Sequence, residues 1–182
     1  MKTSRHLLCW ISAAALATAA LPLSAEPSIS VGQIAPCFSG HDQDGRTWKL
    51  SHHLGKKFVF LYFYPNDDTA SGTAEAVGVR DNLFECKQAG VEVVGVSCDS
   101  RESHQNFAFK YNLPFPLLAD TSGEISEAYG ALMSTNKKLD RRISVLIGQD
   151  GRILRITTSP DPVVHLKAMA KAIVELTGKD SR

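Results

Sequence analysis

The sequence predicts one α/β layer sandwich, a sheet with helices on each side. Three observations carry this expectation. The run Phe58-Val59-Phe60-Leu61-Tyr62-Phe63-Tyr64 is apolar at every position, the pattern of a strand buried on both faces. Strand-like runs and helically spaced segments alternate through the middle of the chain. The chain has 182 residues, 43% hydrophobic and 21% charged, enough for one domain with a real core and too few for two.

The elements follow in order. Residues 1–25 read as a secretory signal peptide, set apart from the fold. Lys2, Arg5 and His6 form a positive start, Leu7 to Leu21 is almost wholly apolar, and Leu23-Ser24-Ala25 is a cleavage site. The apolar run is shorter than the roughly 20 residues a membrane span needs, so cleavage and a periplasmic location are expected over an uncleaved anchor. Residues 26–182 then form a single domain with no membrane segment. Asp44-Gly45 marks a first hairpin. The apolar strand follows and stops at Pro65. Thr73 to Gln88 is helical, with Ala76, Val79, Leu83 and Cys86 on one face and Gly90 as terminator. Val91 to Val96 is a second strand. Ser100 caps a helix running to about Asn112. Phe115 to Ala119 is a third strand, and Ile125, Ala128, Tyr129 and Leu132 give a short helix. Asp150-Gly151 joins Ile143–Gly148 to Ile153–Thr158 in a second hairpin. Val163 to Leu176 is the last helix.

Charge and cysteines narrow the function. The whole chain carries 20 basic and 19 acidic residues, and loss of Lys2 and Arg5 with the leader leaves a net −1. That excludes a strongly basic nucleic-acid binder. Cys9 leaves with the leader, so Cys37, Cys86 and Cys98 remain. An odd count in an oxidising compartment means a free thiol or an intermolecular bridge. No Cys-x-x-Cys occurs. His41, His52, His53, His104 and His165 show no metal-ligand spacing and read as surface residues, with no metal and no cofactor expected.

The segment Phe63-Tyr64-Pro65-Asn66-Asp67-Asp68-Thr69-Ala70-Ser71-Gly72-Thr73 and its continuation to Asp81 resembles the active-site segment of peroxiredoxins, in the bacterioferritin-comigratory or PrxQ type. Val31-Gly32-Gln33-Ile34-Ala35-Pro36, Val93 to Ser97 with Asp99-Ser100, and Arg142 to Ile147 are similar too. The resemblance spans Val31 to Leu176. It implies a thioredoxin-like fold with a central mixed sheet and helices on both faces. It also implies a thioredoxin-dependent thiol peroxidase, an antioxidant enzyme served by a thioredoxin-like reductant or another protein partner, as a monomer or weak homodimer.

The family motif is Pro-x-x-x-Thr-x-x-Cys. Pro65 and Thr69 match it, Gly72 stands at the peroxidatic cysteine, and Val77 at the resolving cysteine. Arg142 matches the distal arginine, and Thr73, Glu75, Ala76, Gly78, Arg80 and Asp81 fit the surrounding pattern. Met133 to Arg141 is shorter than its family counterpart; Lys137-Lys138 and Arg141 read there as a solvated basic loop. Peroxide reduction needs a thiolate, favoured by a helix amino terminus and a nearby arginine, and a second thiol to reduce the sulfenic acid. Glycine cannot be that nucleophile, and the hydroxyls of Ser71 and Thr73 have no such oxidation chemistry.

Three readings follow. The first is a noncatalytic relative that keeps Pro65, Thr69, Gly72 and Arg142 as a remnant pocket for a small polar ligand, an anion or a partner. Thr69 and Arg142 equally suit a purely structural role, as a cap and a buried hydrogen-bond partner. The second is a hydroperoxide reductase acting through Cys98, which follows a strand at the sheet edge where sites form. The third is a redox-sensing module acting through Cys37, which alternation turns outward if Phe38 points in. A Cys37–Cys98 bridge is conceivable. Cys86 falls on an apolar helix face and reads as core, about 21 Å along one helix from Gly72.

Overall fold

In the computed structural model, residues 29–133 and 136–178 are described. The predicted signal peptide lies outside them. The elements are β1 (Ser39–His41), β2 (Thr47–Lys49), β3 (Phe58–Phe63), α1 (Ala70–Asp81), α2 (Leu83–Gln88), β4 (Val91–Ser97), α3 (Arg101–Tyr111), β5 (Leu117–Ala119), α4 (Glu124–Ala128), β6 (Leu132–Met133), β7 (Asn136–Asp140), β8 (Ile143–Ile147), β9 (Ile153–Thr158) and α5 (Pro162–Thr177).

The central sheet has the order β5-β4-β3-β8-β9. β3 pairs in parallel with β4 and antiparallel with β8, so the sheet is mixed and β3 lies at its centre. That position explains the unbroken apolar run. Phe60, Tyr62 and Tyr64 join a cluster with Ala76 and Val79 of α1, Phe107 of α3 and Met169 of α5. Val59, Leu61 and Phe63 join a second cluster with Trp48, Ile125 and Tyr129. Each such side chain removed from water contributes about 1.5–3 kcal/mol. Helices therefore cover both faces: α1, α2, α3 and α5 on one, α4 with the β1–β2 hairpin on the other. Both turn dipeptides sit where the sequence puts them, at Asp44-Gly45 and Asp150-Gly151.

The structure corrects several expectations. The short helix α4 ends at Ala128, and Leu132 lies in strand β6 instead. The single helix Thr73–Gln88 is two helices, broken at Asn82, whose side-chain amide donates to Gly78 O at 2.8 Å and whose backbone leaves the helical region. The helical distance from Gly72 to Cys86 therefore does not apply. Lys137 and Lys138 do not lie in a loop: they are in β7, which pairs antiparallel with β6. Finally, His104 and His165 are buried. His104 shares a helix face with Phe107 and Ala108. His165 Nδ1 meets Ser144 Oγ at 2.6 Å, and its Nε2–H donates to Ser159 O at 2.9 Å. A histidine with both ring nitrogens partnered is stable in a core.

Candidate functional site

β3 delivers the chain to the carboxyl edge of the sheet, and α1 starts there after the loop Tyr64–Thr69. Thr69 is the helix cap. Its Oγ accepts from the Gly72 amide at 3.1 Å and donates to Asn66 O at 3.0 Å. Gly72 is buried at the third position of α1, on the first turn. A Cβ placed there would lie 2.5 Å from Asn66 O and 2.8 Å from Thr69 Oγ. Val77 sits farther along the same helix, half-buried.

Arg142 enters from the start of β8 and is only 4% exposed. It donates to the Glu75 carboxylate of α1 and, at 3.0 Å, to Ser71 Oγ. Arg142 Nε and Glu75 Oε1 are buried with no partner among the described residues. A cavity of about 510 Å³ opens beside this group, lined in part by Pro65, Ser71, Met133, Asp140, Arg142 and Pro160. A groove of about 540 Å³ lies elsewhere, between the β1–β2 turn and α3, and no thiol lines it. Pro65, Thr69, Gly72 and Arg142 are thus brought together around the α1 amino terminus. That end carries positive potential, while the charge of Arg142 beside it is met by the Glu75 carboxylate. The arrangement favours an anion, but position 72 contributes none.

The loop over this helix start is bound to its surroundings. Asp67 accepts from Tyr64 OH at 2.7 Å and from Ser103 Oγ at 2.7 Å, and pairs with His104 Nδ1 at 2.8 Å. His104 Nε2–H donates to Leu118 O at 3.1 Å. Asp99 accepts from the Asp67 amide at 2.8 Å and from Ser97 Oγ at 2.7 Å. Asp67, Asp99 and His104 escape sequence reasoning as a unit, since nothing in their spacing shows that they meet. The one available signal for His104 is its helical register with Phe107.

Among the described residues the three thiols are free and separate. Cys86 is in the core, and burial pushes its pKa up to about 11. Cys37 is exposed just before β1, while Phe38 packs inward, as alternation requires. Cys98 follows β4, half-buried, and donates to Asp140 Oδ1 at 3.6 Å. Asp140 is fully buried, also accepts from Ser126 Oγ at 2.8 Å, and lines the cavity. So Cys98 reaches the cavity wall through Asp140. Burial first, and then the carboxylates of Asp140, Asp120 and Asp99, together push the Cys98 pKa up to about 12. A reactive thiol needs the opposite surroundings.

The chain is similar to known proteins in sequence and in fold. A family model described as the AhpC/TSA family matches residues 31–156. A putative peroxiredoxin bcp of Coxiella burnetii is 44% identical over 131 residues, covering 69% of this chain and 86% of that protein. Peroxiredoxin Bcp of Escherichia coli K12 is 41% identical over 130 residues, covering 69% of this chain and 83% of its own length. The crystal structure of peroxidoxin BcpB from Mycobacterium tuberculosis superposes with a TM-score of 0.75 at 28% identity, over 84% of this chain and 99% of that one. The mixed sheet with helices on both faces is the thioredoxin-like fold.

Proposed function

Because the chain belongs to the AhpC/TSA family, and within it to the Bcp or peroxiredoxin Q type of peroxiredoxin, we propose that it is a relative of the thiol peroxidases that does not perform the family reaction at position 72. The observation that carries this is Gly72 itself, on the capped first turn of α1, where the resemblance puts the peroxidatic cysteine. In that reaction a thiolate attacks the O–O bond, the sulfur is oxidised to a sulfenic acid, and the alcohol or water leaves. A glycine has no sulfur to oxidise. Peroxiredoxins of this family are served by thioredoxin-like reductants. Here such a partner finds no sulfenic acid at position 72 to reduce.

The pocket is retained for binding. Ser71, the α1 amino terminus and Arg142 bound a cavity of about 510 Å³, a place for a small polar or anionic ligand. The signal-peptide features of residues 1–25 support export and a periplasmic site of action.

A second reading, a hydroperoxide reductase acting through Cys98, has one observation in its favour: the Cys98 contact with Asp140 on the cavity wall. The raised pKa of Cys98 weighs against it. Peroxide consumption by the purified mature protein with thioredoxin or a dithiol, beside Cys98→Ser, separates the two. We expect no turnover from either. Turnover that vanishes in Cys98→Ser would replace the first reading with the second. The exposed Cys37 leaves a thiol-based interaction role as a third.

A further inference from the structure

We propose that the loop Tyr64–Thr69 is a closed strap over the first turn of α1, built around Gly72, so that position 72 admits no side chain. It deepens the reading above only in taking position 72 as the family's nucleophile position.

Gly72 is not needed for its backbone. It is absent from the glycines with positive φ, and its place in α1 is ordinary helix. Glycine is the poorest helix former apart from proline, so an open helix start would gain from alanine. What calls for glycine is space. The atom a Cβ would press hardest, at 2.5 Å, is the Asn66 carbonyl oxygen, which is backbone and cannot rotate away.

That carbonyl and the residues after it are tied down by hydrogen bonds. Thr69 Oγ donates to it at 3.0 Å. Asn66 Nδ2 donates to Asp99 Oδ1 at 3.3 Å, and the Asp67 amide to Asp99 Oδ2 at 2.8 Å. The buried Asp67 carboxylate is fixed by Tyr64, Ser103 and His104. Asp68, at φ 55, accepts from Lys110 Nζ at 2.7 Å and from Tyr111 OH at 3.0 Å. Three successive loop residues are therefore tied to α3 or to the turn that precedes it. Room for a side chain at 72 requires moving the whole strap, so cysteine at this one position does not rearm the site.

Thermal unfolding of Gly72→Ala tests this by sign. A closed strap predicts a Tm lower by about 5 °C or more. An unchanged or raised Tm, the normal result of replacing glycine by alanine in a helix, overturns the proposal. Thr73→Ala, one residue on, is the control for substitution in this turn. The second arm repeats Gly72→Ala in an Asp99→Ala background, which removes the acceptor of the Asn66 side-chain amide and of the Asp67 N–H. There the added loss of Tm should be at most half that in the parent; a loss as large would show that the strap is not what position 72 presses on. In Gly72→Cys we expect no peroxide consumption. A variant of native Tm that consumes peroxide would sink the strap. Peroxide turnover by the parent protein would sink the proposed function and leave the strap standing.

Discussion

Cys98 shows how surroundings decide what a residue can do. It occupies the sheet edge, where a reacting thiol is well placed, yet it faces three carboxylates from a half-buried position. At pH 8 a thiol with a pKa of about 12 is ionised only about once in 10⁴. Cys86 is fully buried, with its own pKa raised to about 11. Cys37 alone is exposed among the described thiols. We expect iodoacetamide at pH 8 to label Cys37 in the native protein, with Cys98 and Cys86 labelled only after unfolding. Mass spectrometry of the alkylated peptides reads this directly, and Cys37→Ser should abolish the fast phase. Rapid labelling of Cys98 would mean that the carboxylates do not hold its proton, and would restore it as a nucleophile.

Between elements, the Arg142–Glu75 pair is the main polar link at the site. Arg142 precedes β8 and Glu75 lies on α1, and both are almost fully buried. Removing one partner strands the other charge in the interior, at a cost of about 3–5 kcal/mol. Arg142→Met and Glu75→Leu should each destabilise by that order. The double variant should lose much less than the sum, because neither charge is then left alone. Urea unfolding of the single and double variants measures the coupling; simple additivity would show that the pair does not act as a unit. This pair gives Arg142 a structural role that needs no thiol at position 72. It joins α1 to the sheet and also donates to Ser71 at the cavity. Thr69 has a comparable double role, as cap of α1 and as one anchor of the strap. The β6–β7 hairpin brings Asp140 to the same cavity.

For the whole molecule, Asp140 sets an expected pH dependence of stability. Its pKa is pushed up to about 7 from an ordinary 3.8, chiefly by burial and in part by Asp120 and Asp99, against hydrogen bonds from Ser126 and Cys98 that oppose the rise. The folded state therefore holds this proton more tightly than the unfolded chain. Between about pH 4 and pH 7 the native form binds more protons, so this group's contribution makes stability fall as pH rises through that window and level off above it. Asp140→Asn should flatten that slope, as read by urea midpoints across the window; an unchanged slope would locate it in other groups. The sequence by itself determined the architecture around this group. The all-apolar run of β3 implies helices on both sides, and the two Asp-Gly turns and the Ser100 cap fall where chain-local chemistry puts them. Family resemblance added the identity of Pro65, Thr69, Gly72 and Arg142. The turns, the cap and the Pro65, Thr69 and Gly72 positions were legible because they depend on neighbours a few residues away or on a contiguous motif; Arg142 was legible only through the resemblance. The tertiary structure decided what spacing does not encode: the break at Asn82, the β6–β7 pairing, the burial of His104 and His165, and the carboxylates around Cys98. Asp140 lies 42 residues from Cys98 and Arg142 lies 67 from Glu75. The same distance in sequence hides the closing of Asn66 and Asp67 over Gly72 through Asp99 and α3. Contacts of that separation depend on the strand order of the sheet, and they set both the surroundings of Cys98 and the space at position 72.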